Sequence, residues 1–195
     1  MSARWDPSEA GRAIADALRV AGIPHALGGA LALGVAGVPR GTKDVDVNVF
    51  SGLDELPRVI TALTGVGITI DPPTALARAE RDGMFVGSWD GMRIDVFVPS
   101  IAFSSEANRT AIEIEVDGWR GRFLSAEAIA VFKLLFFRGK DLVDLERLVA
   151  VRGDRLDTAY VRRWMVEMMG EHDVRVARWD DIVARFGARA GAAPS

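Results

Sequence analysis

Apolar and polar residues follow two rhythms along this chain. The apolar positions Ile14, Ala15, Leu18 and Ala21 recur at helical spacing and predict an amphipathic helix over Pro7 to Val20, with Gly22 as the stop. His25-Ala26-Leu27 predicts a short strand running into Gly28-Gly29, and residues 30–36 a short apolar helix closed by Gly37 and Pro39. The rhythm then changes to a period of two: residues 44–50 predict a strand with Val45, Val47 and Val49 on one face. Helices are expected over 53–63 and 74–81, and a short strand over 67–70 ended by Asp71-Pro72-Pro73. Residues 84–89 and 92–98 read as strands joined at Asp90-Gly91, and 111–116 and 119–123 as a second hairpin around Asp117-Gly118. From Ser125 onward every pattern is helical: 126–137, 140–151, 158–169 and 174–186. The tail from Gly187 is expected to fray.

The fold class implied is α/β (α+β): a mixed sheet core with flanking helices, followed by a helical lobe. The expected boundaries are 1–123 for the core, 124–188 for the lobe and 189–195 for a flexible tail, with a ligand site expected where core and lobe meet. A chain of 195 residues that is 49% apolar can build a substantial core. It has no cysteine, which removes disulfides, thiolate metal sites and cysteine nucleophiles and fits a cytoplasmic protein. No apolar run is long enough to span a bilayer, and the start of the chain is polar, so neither a membrane nor a secretion signal is expected. The net charge of −3 argues against indiscriminate nucleic-acid binding but leaves room for a local basic surface.

The sharpest chemical feature is the pair Asp44 and Asp46. Two positions apart on a strand, both carboxylates emerge on one face, where they repel each other and resist desolvation. A divalent cation removes that penalty, and magnesium prefers oxygen ligands. Asp95, facing outward on a neighbouring strand, completes a three-carboxylate set that would hold Mg2+ or Mn2+ and help activate an incoming hydroxyl. Two such ions, about 3.5–4 Å apart, stabilise both the attacking and the leaving oxygen of a phosphoryl transfer. The competing reading has Asp44 capping a turn, Asp46 paired with Arg93 and Asp95 solvated. Gly28 and Gly29 would let backbone N–H groups approach a phosphate. Arg40 would clamp a triphosphate, and Thr42 would orient the loop or bond a phosphate. Lys43 reads as a solvated lysine at the strand edge.

Lys133 is the one polar residue in the apolar run 128–137. It must snorkel or meet an anion, either a triphosphate or a structural carboxylate. Asp141 and Asp144 follow on one side of the next helix. Asp141 divides evenly between function and helix capping, and Asp144 reads as a structural partner of Arg147 or Arg138. Arg138, Lys140, Arg147, Arg152, Arg155, Arg162 and Arg163 are read as a locally basic surface that would meet tRNA phosphates, although a solvated face is the commoner explanation.

Gly28-Gly29, Arg40-x-Thr42-x-Asp44-x-Asp46 and Asp95 together resemble the signature of the DNA-polymerase-β-type nucleotidyltransferase superfamily. Lys133 followed by Arg138-x-Lys140-Asp141-x-x-Asp144 resembles the C-terminal motif of its AbiEii/MenT branch, the toxins of bacterial toxin–antitoxin systems. The resemblance covers roughly residues 24–150. It implies a nucleotidyltransferase-type core and a metal-dependent enzyme that takes a nucleoside triphosphate as co-substrate. In it Asp44 and Asp46 are metal ligands, Lys133 binds the nucleotide and Asp141 is a catalytic-site carboxylate. The acceptor implied is the 3′ end of tRNA, and the implied partner is a cognate antitoxin. Many relatives carry serine where Gly29 stands, so a hydroxyl contact is replaced here by backbone. The alternatives are modification of a small molecule such as an aminoglycoside, adenylylation of a protein, and a non-catalytic binding module such as an antitoxin.

Overall fold

The computed structural model describes residues 6–187, so the expected tail over 189–195 lies outside the described residues. Within it, contacts group the chain into two compact units. Among the described residues, one holds residues 6–31 together with Arg40–Leu124, and the other holds Ala32–Pro39 with residues 125–187.

The first unit is built on one mixed sheet of six strands: β1 (His25–Leu27), β2 (Asp44–Val49), β3 (Met84–Trp89), β4 (Met92–Phe97), β5 (Ile112–Val116) and β6 (Trp119–Phe123). Their order is β3-β4-β2-β1-β6-β5. The neighbouring strands β2 and β4 run parallel, which sets Asp46 beside Asp95 and Asp44 beside Arg93. Both hairpins turn where the sequence places them, because Asp90-Gly91 and Asp117-Gly118 each adopt the positive φ angles that a tight two-residue turn requires.

One face of the sheet is apolar. Val45, Val47 and Val49 are at most 1% exposed, and Ile94, Val96 and Phe85 are fully buried with them. α1 (Pro7–Val20) buries Ala10, Ile14, Ala15 and Leu18 against β1, β2 and α3 (Leu56–Gly65). Its start is held by a capping box in which Asp6 and Glu9 bond each other's backbone N–H groups or those beside them. α3 turns Leu56, Val59, Ile60 and Leu63 inward, and α4 (Pro72–Asp82) packs on β3. α2 (Gly29–Val35) follows β1.

Three local expectations change. The helix expected over 53–63 starts as a single 3-10 turn at Leu53–Glu55 before α3 takes over. The strand expected over 67–70 shrinks to one bridge between Thr69 and Ser88. An eight-residue helix, α5 (Phe103–Thr110), occupies a stretch with no predicted element. Its sequence is short and mostly polar, and its N-cap position is Ala102, which makes no side-chain cap, so no capping signal marked it.

The second unit is helical: α6 (Ala126–Phe136), α7 (Gly139–Arg152), α8 (Thr158–Met169) and α9 (Val174–Phe186). Leu134, Leu145, Leu148, Val161, Met165, Trp179 and Ile182 form its core. Ser125, Asp157 and Asp173 cap α6, α8 and α9 by accepting backbone N–H bonds. Among the described residues no helix is long and apolar enough to cross a membrane.

Candidate active site

The candidate site grows from β2 and β4. Because paired residues on neighbouring strands point to the same face, Asp44, Asp46, Arg93 and Asp95 share the face opposite the apolar one. Asp44 and Asp46 are half-buried, and Asp95 is 9% exposed. Asp95 is therefore not the solvated residue of the competing reading. It accepts from Arg93 Nε at 2.8 Å and from its Nη2 at 2.7 Å, so Arg93 pairs with Asp95. That bond, with the fields of Asp95, Asp44 and Asp46, pulls the Arg93 pKa above its ordinary value against the opposing pull of burial.

Thr42 organises the approach to the strand. Its hydroxyl donates to Asp44 Oδ1 and lies 3.2 Å from the Asp44 carbonyl oxygen, while the Asp44 N–H reaches Thr42 Oγ1 at 3.4 Å. Arg40 stands just before it, half-buried, with Nη1 3.3 Å from the Gly41 carbonyl oxygen.

Gly28 and Gly29 join β1 to α2 beside the acids. The Gly28 N–H donates to the Asp46 carbonyl oxygen at 2.9 Å. Gly29 has φ +49°, and a Cβ there would lie 1.7 Å from Asp46 Oδ2. The missing side chain is thus the space that the Asp46 carboxylate occupies. A serine at this position would need both a strained backbone and another Asp46 rotamer.

These residues fit a hard divalent cation by chemistry and by register: three carboxylates on adjoining strands of one face. Their rotamers do not converge, however. Among the described residues no group of three or more His, Asp or Glu side chains stands close enough to hold a metal ion. Asp44 is turned to Thr42, Asp46 lies over Gly29, and Asp95 is turned to Arg93. A metal would have to draw them together, with Asp95 leaving Arg93.

Lys133, Asp141 and Asp144 form a second constellation inside the helical unit. Lys133 is 6% exposed and Asp141 is fully buried. Lys133 Nζ lies 2.6 Å from Asp144 Oδ2 and 3.2 Å from Asp141 Oδ1. Arg138 donates to Asp141 through its backbone N–H at 3.2 Å and through Nε at 2.7 Å, and its guanidinium lies 4.8 Å from the Phe136 ring centre. Burial pushes the Asp141 carboxyl up, but the Arg138 hydrogen bond and Lys133 outweigh it and hold the pKa below the usual carboxylate range. The chain makes this corner through Phe137, which adopts a left-handed conformation at φ +54°.

Asp144 meets Lys133, because α6 and α7 pack directly and bring the ammonium to it. Lys133 stands within ion-pair distance of both carboxylates. The basic character expected of this lobe disappears on a full count. Residues 125–187 hold eleven Lys or Arg and eleven Asp or Glu. Several of those arginines are paired: Arg162 with Glu171 and Asp180, Arg178 with Glu146 and Asp181, Arg175 with Asp173.

No protein-family model matches the chain, and no curated protein matches its sequence. Solved structures do. The solution structure of the antibiotic-resistance factor ANT(2″)-Ia aligns with TM-score 0.50 and 14% identity over 95% of this chain and 88% of that one. The crystal structure of ANT(2″)-Ia in complex with adenylyl-2″-tobramycin gives TM-score 0.48 and 16% identity over 90% and 94%. An antigenic nucleotidyltransferase-like protein from Paracoccidioides brasiliensis gives 0.45 and 15% over 88% and 92%. At such identity the first of these likenesses is one of fold, and it extends over nearly the whole chain: the mixed sheet with its flanking helices and the helices that follow have the nucleotidyltransferase-type architecture.

Proposed function

We propose that this chain is a divalent-metal-dependent nucleotidyltransferase that moves a nucleoside monophosphate from a nucleoside triphosphate to an acceptor hydroxyl. The observation that carries this reading is the parallel register that sets Asp46 beside Asp95, with Asp44 on the same face, in a nucleotidyltransferase-type fold. Bound through Asp44, Asp46 and Asp95, magnesium or manganese would supply positive charge to the phosphates. Gly28 and Gly29 allow the phosphates close to the backbone, and Arg40 adds positive charge nearby. Asp95, released from Arg93, accepts the proton of the acceptor hydroxyl. The acceptor oxygen bonds to the α-phosphorus, the bond from that phosphorus to the β-phosphate breaks, and pyrophosphate leaves. Lys133 and Asp141 act by fixing the α6–α7 corner rather than by touching the nucleotide.

For the acceptor, the Lys133 to Asp144 motif supports the 3′ end of tRNA and a toxin role neutralised by a cognate antitoxin. The fold likeness to an antibiotic-resistance factor supports a second reading, a cationic small molecule, which suits a chain of net charge −3. The balanced charge of residues 125–187 removes one argument for tRNA and leaves the motif as its support. The test is incubation of the purified chain with magnesium, each labelled nucleoside triphosphate, and either total tRNA or a panel of aminoglycosides. Label at the tRNA 3′ end is the expected result, and label on an aminoglycoside moves the acceptor to the second reading. Transfer from none of the triphosphates to either acceptor overturns both. Growth arrest on expression that disappears in Asp46→Ala supports the toxin role, whereas arrest retained by that variant assigns the effect to binding.

A further inference from the structure

The two ends of the sheet are finished differently. At the β3 end, Thr69 and Ser88 exchange backbone hydrogen bonds of 2.8 and 3.0 Å, and Ile68 and Ile70 crowd the place where Gly87 has no side chain. At the other end, no strand among the described residues pairs with the outer edge of β5. In an antiparallel ladder alternate residues bond to either side, so β5 keeps half of its backbone donors and acceptors for a further strand.

The side chains of β5 carry a regular code. Ile112-Glu113-Ile114-Glu115-Val116 sets apolar residues on one face and acids on the other. Ile112 and Val116 are 38% and 37% exposed, and both glutamates are exposed. The inner neighbour, β6, shows what complements this code. Register places Glu113 opposite Arg122, Glu115 opposite Arg120, Ile112 opposite Phe123 and Val116 opposite Trp119. Acid meets base and apolar meets apolar, the pairing that stabilises neighbouring strands. A second copy of β5, paired antiparallel about Ile114, would instead set Glu113 opposite Glu115, like charge on like.

We propose that the outer edge of β5 is a docking site for an extended segment of another protein, one that alternates apolar residues with lysine or arginine and adds as a seventh strand. The site repeats on its free side the recognition that β6 already satisfies on the other: main-chain hydrogen bonds hold the segment, and the glutamates select its charge. It is independent of the transfer chemistry proposed above.

The experiment uses the full chain and blocked peptides alternating valine with arginine. Binding is read by fluorescence anisotropy, and β5 amides are followed by hydrogen exchange. The expected result is binding with added protection confined to residues 112–116. Glu113→Lys with Glu115→Lys should weaken binding by about tenfold and create binding of a valine–glutamate peptide. A peptide N-methylated on one edge leaves the protein intact and should not bind. Equal binding of a peptide with its valines and arginines in separate blocks would show simple charge attraction and overturn the proposal. So would an absence of protection at β5, or β5 amides already protected in a self-associated chain without peptide.

Discussion

The chain houses two sets of acids in opposite ways. On the sheet, Asp44 and Asp46 are half-exposed, and Arg93 beside Asp95 keeps 56% of its side chain in solvent. In the helical unit, Asp141 and Asp144 are sealed, with side chains 1% and 4% exposed and Lys133 between them at 8%. A buried ion costs several kcal/mol to desolvate unless its partners are close and well placed, so the second set has to close on itself. In the first, Asp44, Asp46 and Arg93 reach water while Asp95 is largely buried, so its solvent-facing members can exchange one partner for another at small cost. A set that can open is suited to binding and chemistry, and a set that cannot is suited to holding a shape. The same residue type therefore reads differently in the two places.

The strongest way to break this contrast is Asp46→Ala. It should reduce label transfer on the order of a thousandfold, as expected when a group that stabilises the transition state is lost, while the melting temperature stays level or rises. Full activity in this variant would remove the sheet acids from the chemistry. Asp144→Ala should do the reverse. It leaves Lys133 under-compensated in the core and should cost about 3–5 kcal/mol. Urea titration would show this as a lower midpoint at unchanged slope. A fully stable but inactive Asp144→Ala would assign the helical cluster to catalysis instead.

Metal sharpens the contrast without any activity assay. Manganese at about a hundred times its dissociation constant should stabilise the chain by about 2.7 kcal/mol. Calorimetry should show that gain lost in Asp44→Asn with Asp46→Asn and kept in Lys133→Met. A smaller effect is expected from Gly29→Ala, about 1–2 kcal/mol, because the backbone there is left-handed and the new Cβ meets the Asp46 carboxylate. Adding Asp46→Ala should recover part of that loss, and full additivity of the two changes would deny the contact.

The smallest effect is in acid. Asp141 is held below the usual carboxylate range, so the unfolded chain binds its proton at a higher pH than the folded chain does. The stability it adds is present above about pH 4, the ordinary carboxylate value, and is lost as pH falls through the lower folded value. Acid unfolding of Asp141→Asn, followed by tryptophan fluorescence, should show a shallower loss over that range than the parent does. An identical acid limb would mean that Asp141 is not held by Arg138 and Lys133.

Much of the fold was legible because its signals are local. The period-two run at β2, the Asp-Gly turns and the capped helical stripes of α1, α8 and α9 each rest on residues a few positions apart. α5 was not legible, because it is only eight residues long, lacks a side-chain cap and buries no apolar residue but Phe103 and Ala107. The pairing of Asp44 with Asp46 on one face follows from strand geometry alone. That Asp95 lies beside Asp46 does not, since it depends on β2 and β4 running parallel in register.

What the sequence determined by itself is the inventory and its local geometry: the acids of one strand on one face, a lysine alone in an apolar helix, and a hairpin over 111–123 turning at Asp117-Gly118. What only the tertiary structure decided is who meets whom. It turned Arg93 to Asp95, gave Lys133 to Asp144 and left β5 at the end of the sheet. Alternation and helical period act over a few residues and are written in order along the chain. Charge pairing and strand neighbours depend on distances in space, which residues far apart in sequence acquire only when the core packs.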